Sequence, residues 1–272
     1  MRNNIKRFRF YALVSLVIVF IIPIIWLLLI SIKTQRDAFA YPPLLLFKPT
    51  FEHYLELFGE SNFIKYYLNS ILVALGTIGV SFLIGVPAAY KLGRTTVKAK
   101  SKILLWVLIT RMMPRIIYLI PFFMFFITLG LIDTIFGLII AYQTFSIPLV
   151  VWTLLPYFET IPNSLEESAK IDGASEFQVF RSIMLPLAAP GLTATAVLVF
   201  INSWNEFLWG LILTRNQAVT APIAVMNFMA FEGTAWGKVA AGGFVVLLPT
   251  VIFSIFIRQF LVRGTLGGAV KE

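Results

Sequence analysis

The chain has 272 residues, 59% of them hydrophobic and only 13% charged, with a mean hydropathy of +0.88. Soluble globules run nearer half apolar and a quarter charged, so a water-soluble domain is excluded. The net charge of +9 does not point to nucleic acid, because the cations cluster at alternate ends of long apolar blocks, the pattern that orients a membrane protein.

Cysteine is absent and His53 is the one histidine, which removes disulfides, thiolate chemistry and any histidine or cysteine metal cluster. No catalytic set, metal site or cofactor is expected in this chain. His53 lies in a polar stretch outside the apolar blocks and is expected at a solvated surface.

Six blocks are near the roughly 20 residues that cross a bilayer as helix. They are Phe10–Ile32, Tyr66–Tyr90, Ile103–Leu129, Phe136–Tyr157, Pro190–Leu213 and Gly237–Phe260. Continuous apolar runs, without short alternating segments, predict helices and not barrel strands. The expected fold is all-α, a single membrane-spanning domain over residues 1–272. The N-terminus, the loop 91–102, the segment Phe158–Ala189 and the tail hold 14 of the 22 Lys and Arg, against six on the other side. Both termini are therefore expected in the cytoplasm.

The first block follows a basic stretch, and Ala38-Phe39-Ala40 resembles a cleavage site. The apolar run is too long for a signal peptide, and Lys33, Arg36 and Asp37 intervene, so a retained helix is expected. The second block carries Thr77, Ser81, Gly85 and Ala89 at four-residue intervals, a stripe that lets another helix approach closely. Pro114 and Pro121 break the third block and Pro148 the fourth, as suits helices around a cavity. Arg111 enters the third block to about 12 Å depth. Arg115 follows four residues on, which predicts one shared face. Intramembrane arginines cost at least about 2.5 kcal/mol each, so they face a cavity or a partner. Glu206 in the fifth block is the intrachain candidate, and one carboxylate cannot neutralise both. Trp204 and Asn205 beside it complete a candidate solute path, with an aromatic face available for stacking.

Between the fourth and fifth blocks, Phe158–Ala189 reads as a two-helix elbow. Ser164 with Glu167, and Ser175 with Gln178, predict capping boxes. Gly173 between them is free to end the first helix in the left-handed conformation. Phe177, Phe180, Ile183 and Met184 form an apolar stripe that stops at Leu185-Pro186. The elbow is longer than a connection requires. With five acids against two bases, it is unsuited to anionic lipid. It is expected to dock a protein. The loop Thr214–Trp236 opens on the opposite side. Its Gly233-Thr234-Ala235-Trp236-Gly237-Lys238 is one residue short of a phosphate loop and lacks the following Ser or Thr, so no ATP site is expected in this chain. There is no internal repeat of the kind secondary transporters show.

Glu167-Ser168-Ala169-Lys170-Ile171-Asp172-Gly173, followed by Ile183-Met184-Leu185-Pro186, resembles the "EAA…G…I.LP" loop of permease subunits in binding-protein-dependent ABC importers. Ser168 replaces the usual alanine, small for small. Asn69-Ser70, Ala88-Ala89-Tyr90, Gly130-Leu131-Ile132-Asp133-Thr134, Trp204-Asn205-Glu206 and Gly267-Gly268-Ala269-Val270-Lys271 extend the match over residues 10–272. Together they look like the MalG-type subunit of carbohydrate importers. The resemblance implies a multi-pass protein of the bacterial inner membrane with the six-span fold of a type I ABC importer permease. It implies that the elbow is a coupling helix seated in an ATPase, with Glu167, Ser168, Ala169, Asp172, Gly173, Leu185 and Pro186 in the contact. The glycine-rich tail would reach toward the ATPase dimer. Ile223, Met226, Asn227 and Phe228 would face an extracytoplasmic solute-binding protein. The implied partners are a second permease in a heterodimer and two ATPase subunits that carry ATP and Mg. The implied cargo is a sugar or oligosaccharide, and the excess of Arg111 and Arg115 over Glu206 allows an acidic one. The rivals are an ion-coupled secondary transporter, using the same charges as a relay, and an intramembrane enzyme, for which no acid/base set exists.

Overall fold

The computed structural model describes residues 2–59, 62–95, 99–230 and 233–266. Its elements in chain order begin with α1 (Arg2–Ser31), α2 (Gln35–Ala38), α3 (Glu52–Gly59), α4 (Phe63–Arg94) and α5 (Ala99–Met112). There follow α6 (Arg115–Thr128), α7 (Ile135–Thr160), α8 (Asn163–Ile171), α9 (Glu176–Val179), a π-helical turn (Phe180–Met184) and α10 (Leu185–Leu187). The last are α11 (Ala189–Trp204), α12 (Leu208–Leu213), α13 (Ala221–Met226), β1 (Met229–Ala230), β2 (Gly233–Thr234) and α14 (Trp236–Leu266). The two strands form one antiparallel pair.

Lys6–Ser31, Phe63–Arg94, Ile135–Thr160 and Trp236–Phe256 are each long and apolar enough to cross a membrane. Among the described residues, two bent pairs bring the number to six when each counts as one span: Lys100–Met112 with Arg115–Thr128, bent by 89°, and Glu176–Leu187 with Ala189–Trp204, bent by 76°. The third block is therefore broken at Pro114, as expected, into two helices at nearly a right angle, whereas Pro121 stays inside α6 and breaks nothing. Proline decides where it breaks, because it lacks the N–H of the helical ladder and biases the residue before it away from helix. α5 stops at Met112 and α6 starts directly after Pro114. The break expected at Pro148 does not occur: Pro148 and Pro156 stay inside the one helix α7. The fifth block is also divided, since α11 closes at Trp204 and α12 opens at Leu208.

The chain divides into two compact units, Met1–Tyr67 with Ala221–Pro249, and Leu68–Thr220 with Thr250–Glu272. In the first, α1 exposes apolar side chains around its circumference, among them Phe10, Leu16 and Phe20, as a helix bathed in lipid can. Lys33 after it is buried, its ammonium 5.1 Å from the Trp26 ring centre and 4.9 Å from that of Phe47. His53, expected at the surface, is buried instead: its Nε2 lies 2.9 Å from the Lys33 carbonyl oxygen. Lys238 of α14 pairs with Glu56 of α3 at 2.8 Å.

The second unit is built around α7. The expected stripe on α4 is buried, with Thr77, Ser81 and Ala89 fully so. A Cβ at Gly85 would fall 2.7 Å from Val150 Cγ1 of α7. Only glycine allows that approach, because real Cβ atoms never sit so close to a branched side chain. Val86, Ala89, Val150, Leu154 and Phe158 continue the seam toward the elbow.

Candidate functional site

The helix break at Pro114 organises the first cluster. Arg111 sits in the last turn of α5 and Arg115 is the first residue of α6. The expected shared helical face does not exist, since the helix is broken between them. The break nevertheless puts both on the wall of one cavity of about 120 Å³, with Thr110, Tyr118, Phe145 and Asn202. Arg115 pairs with the Glu206 carboxylate and lies 4.6 Å over the Phe145 ring. Glu206 is 4% exposed, and its other oxygen accepts from the backbone N–H groups of Leu208 at 3.1 Å and Trp209 at 3.2 Å. That caps the otherwise open start of α12. Glu206 is thus fully engaged, and among the described residues no carboxylate pairs with Arg111.

Trp204 does not join the cavity. It is buried and stacked on Phe200, with ring centres 5.6 Å apart and planes at 13°. Asn205 is exposed and donates to the Ile201 carbonyl at 2.9 Å. Asn202, Tyr118 and Phe145 line the cavity without having been singled out in the sequence. Asn202 carried a signal, as a polar side chain inside an apolar block.

The second cluster is the elbow. α8 begins at Asn163 after Pro162, with no side-chain cap, so the capping box expected from Ser164 is not formed. Pro162 occupies the N-cap position itself, with a fixed φ that pre-sets the entry of the chain and no side-chain acceptor to form a cap. The Ser175–Gln178 box is present in both directions. Gly173 has φ of +88° and open space where a Cβ would stand, so glycine is required there by backbone conformation alone. The second helix ends at Leu187, just past the expected stop at Leu185-Pro186, before the 76° bend. The chain passes the proline through a wide π turn, with Leu185 N–H bonded to the Phe180 carbonyl, an accommodation typical of helices that must absorb a missing donor.

The two adjacent glutamates diverge. Glu166, which sequence reasoning passed over, is buried. It pairs with Arg94 and accepts from the Tyr90 hydroxyl at 3.2 Å. Glu167, Ser168 and Asp172 are exposed, Ala169 is half-buried, Leu185 is half-buried and Pro186 exposed. Ile171 and Phe177 stand out at 85% and 66% exposure. Phe177 is thereby taken out of the expected apolar stripe, while Val179 and Met184 are buried. At the rim, Lys91 donates to Glu176 at 2.6 Å and holds that carboxyl below its ordinary pKa. Lys100 pairs with Glu159 at 2.7 Å.

The third cluster follows α12. Asp133, at φ of +58°, aims its carboxylate at four consecutive backbone N–H groups, those of Arg215 (2.9 Å), Asn216 (3.0 Å), Gln217 (2.9 Å) and Ala218 (3.0 Å). Burial raises its pKa, but the bonds from Ala218, Arg215, Gln217 and Asn216 outweigh that and hold it at about 2. Asn69 of α4 donates to the Gln217 and Val219 carbonyls at 2.8 and 2.9 Å. Further on, Ile223 faces inward and Phe228 is half-buried, whereas Met226 and Asn227 are exposed. Of the expected contact set, Ile223 is therefore a packing residue. The segment Gly267–Lys271 lies outside the described residues.

The family model for the binding-protein-dependent transport system inner membrane component matches residues 81–263. The chain is 36% identical to the trehalose transport system permease protein SugB of Mycobacterium tuberculosis, over 98% of each chain. It is 34% identical to the trehalose/maltose transport system permease protein MalG of Thermococcus litoralis, over 95% of this chain and 94% of that one. Its fold matches a chain of a bacterial ABC transporter involved in import of the acidic polysaccharide alginate. The TM-score is 0.75 at 24% identity, over 92% of this chain and 96% of the other.

Proposed function

The chain belongs to the family of binding-protein-dependent transport system inner membrane components, and we propose that it is the saccharide-conducting permease subunit of an ATP-driven importer. It is a multi-pass inner-membrane transport subunit and not an enzyme. In this reading residues 1–272 act as one permease domain, with both termini and the elbow 158–189 in the cytoplasm and the loop 214–236 outside. The partners are a second, different permease, two ATPase subunits that bind ATP and Mg, and an external binding protein that meets Met226, Asn227 and Phe228. The sugar assignment leans on the trehalose and trehalose/maltose relatives.

The observation that carries the coupling role is the split between Glu166 and Glu167. One glutamate anchors the elbow from inside, which leaves Glu167, Ile171, Asp172 and Phe177 displayed around the Gly173 corner. An exposed carboxylate one helical turn from the exposed Ile171 suits a cleft with a basic residue, where a charge-assisted hydrogen bond forms out of water. Ser168 and Ala169 keep the helix thin, and Leu185 and Pro186 close the return. Gly173→Val tests this, because a β-branched residue does not readily take positive φ. The variant should insert and assemble yet lose binding-protein-stimulated ATP hydrolysis in proteoliposomes. Stimulation at the unmodified level would overturn the assignment.

Arg111 extends the reading to substrate class. With Arg115 held by Glu206, Arg111 is left at the cavity wall beside Thr110 and Asn202. Its planar fork matches a carboxylate bidentately, so the path favours an acidic saccharide. Arg111→Gln should slow uptake of a uronate oligosaccharide more than that of trehalose. Equal losses would assign Arg111 to a carboxylate of the second permease.

A further inference from the structure

One helix end meets both helices of the elbow. Arg94, in the last turn of α4, pairs through Nε with Glu166 on α8. Its Nη1 donates to the Ile161 carbonyl at 2.9 Å, where α7 passes into α8, and its Nη2 lies 3.8 Å from Met184 Sδ in the π turn. Tyr90, one turn earlier, donates to the second Glu166 oxygen, and its ring lies 5.6 Å from Phe158 and 5.1 Å from Phe180. Lys91 reaches Glu176 at the start of α9. The Arg94 and Glu166 side chains are only 13% and 11% exposed. Orienting a membrane protein requires cations on one side, and it does not require them to be buried or paired.

We propose that Tyr90 and Arg94 form a clamp that makes the elbow and the end of α4 one moving body, with Arg94 the positioning residue through which the elbow's displacement enters the membrane. A guanidinium suits the task because its fixed fork can hold a carboxylate and a carbonyl at once, which an ammonium on a flexible stem holds poorly. From the clamp, α4 runs into the seam where Gly85 meets Val150 of α7. α7 in turn supplies Phe145 and Leu149 to the wall of the arginine cavity. Close-packed helices shift as rigid bodies and do not deform continuously, so a displacement of the elbow is carried along this path.

The clamp rests on the reading of the elbow as the ATPase contact, and the test separates the two. The whole transporter is reconstituted in nanodiscs with nitroxide labels at Leu83→Cys on α4 and Lys170→Cys on α8, both exposed positions. The pair should give one narrow distance distribution. Arg94→Gln should broaden it and lower binding-protein-stimulated ATP hydrolysis about tenfold, while the ATPase subunits still co-purify. Tyr90→Phe, which keeps the ring packing, should do the same more weakly and serves if Arg94→Gln does not assemble. Arg94→Glu with Glu166→Arg should narrow the distribution again and recover most of the stimulation. Unchanged width in Arg94→Gln, or a double variant no better than either single one, would overturn the clamp. If Gly173→Val uncouples while Arg94→Gln does not, the clamp falls and the elbow reading stands. If Gly173→Val leaves stimulation intact, the elbow reading falls and the clamp's role in coupling goes with it.

Discussion

Arg94 and Glu166, 72 residues apart in the chain, form a buried ion pair that joins the end of α4 to the first helix of the elbow. Its neighbour Glu167 points the other way, into the open. Two adjacent and chemically identical side chains thus divide between holding the elbow in place and presenting it.

That division predicts opposite phenotypes. Glu166→Gln leaves Arg94 buried without its charge partner, and breaking a buried pair costs about 3–5 kcal/mol. Thermal unfolding of the detergent-solubilised subunit should show a clear fall in Tm. Glu167→Gln removes an exposed charge, so stability should move by no more than about 0.5 kcal/mol, while stimulated ATP hydrolysis drops. Equal Tm losses for both variants would contradict the division.

The two cavity arginines should also separate. Arg115→Gln strands Glu206, which is 4% exposed, and should destabilise the fold by about 3 kcal/mol or more. Adding Glu206→Gln should return much of that loss, since a neutral side chain is cheaper to bury than an unpaired charge. Arg111→Gln should leave Tm nearly unchanged. A double-mutant cycle on Tm checks all three.

Asp133 gives a pH dependence with a definite sign. Its carboxyl sits at about 2, against 3.8 for the free group. A depressed folded pKa stabilises fully above the unfolded value, and the contribution is lost as pH falls through the folded one. The stability gap between the unmodified chain and Asp133→Asn should be constant above about pH 5 and shrink as the pH drops from about 4 toward 2. Because the carboxylate is partly open to solvent, the plateau should be only about 1 kcal/mol. Chemical unfolding of both proteins across that range measures it, and a gap that widens on acidification would contradict the assignment.

The α4–α7 seam should tolerate no added methyl. Gly85→Ala places a Cβ 2.7 Å from Val150 Cγ1, an overpacking worth about 1–3 kcal/mol. Val150→Ala in the same chain should relieve it, and failure of that rescue in a Tm cycle would mean that the seam is not the limiting contact.

What the sequence determined by itself was the local part. Each apolar block, the small-residue stripe of α4, the Ser175–Gln178 box and the left-handed corner at Gly173 rest on a few neighbouring residues, and each is found. The same holds for Asn69 and Asp133, whose motifs stood out although their shared partner loop did not. Tertiary structure decided which side of each helix is used. It sent Trp204 and Ile223 inward, buried His53, chose Glu166 over Glu167, and kept the helices whole at Pro121 and Pro148 while opening the break at Pro114 to 89° between two arginines. The reason is physical. In water, an apolar stripe announces the face a helix will bury. In lipid both faces are apolar, so the choice falls to close packing and to the pairing of a few polar groups across helices far apart in the chain.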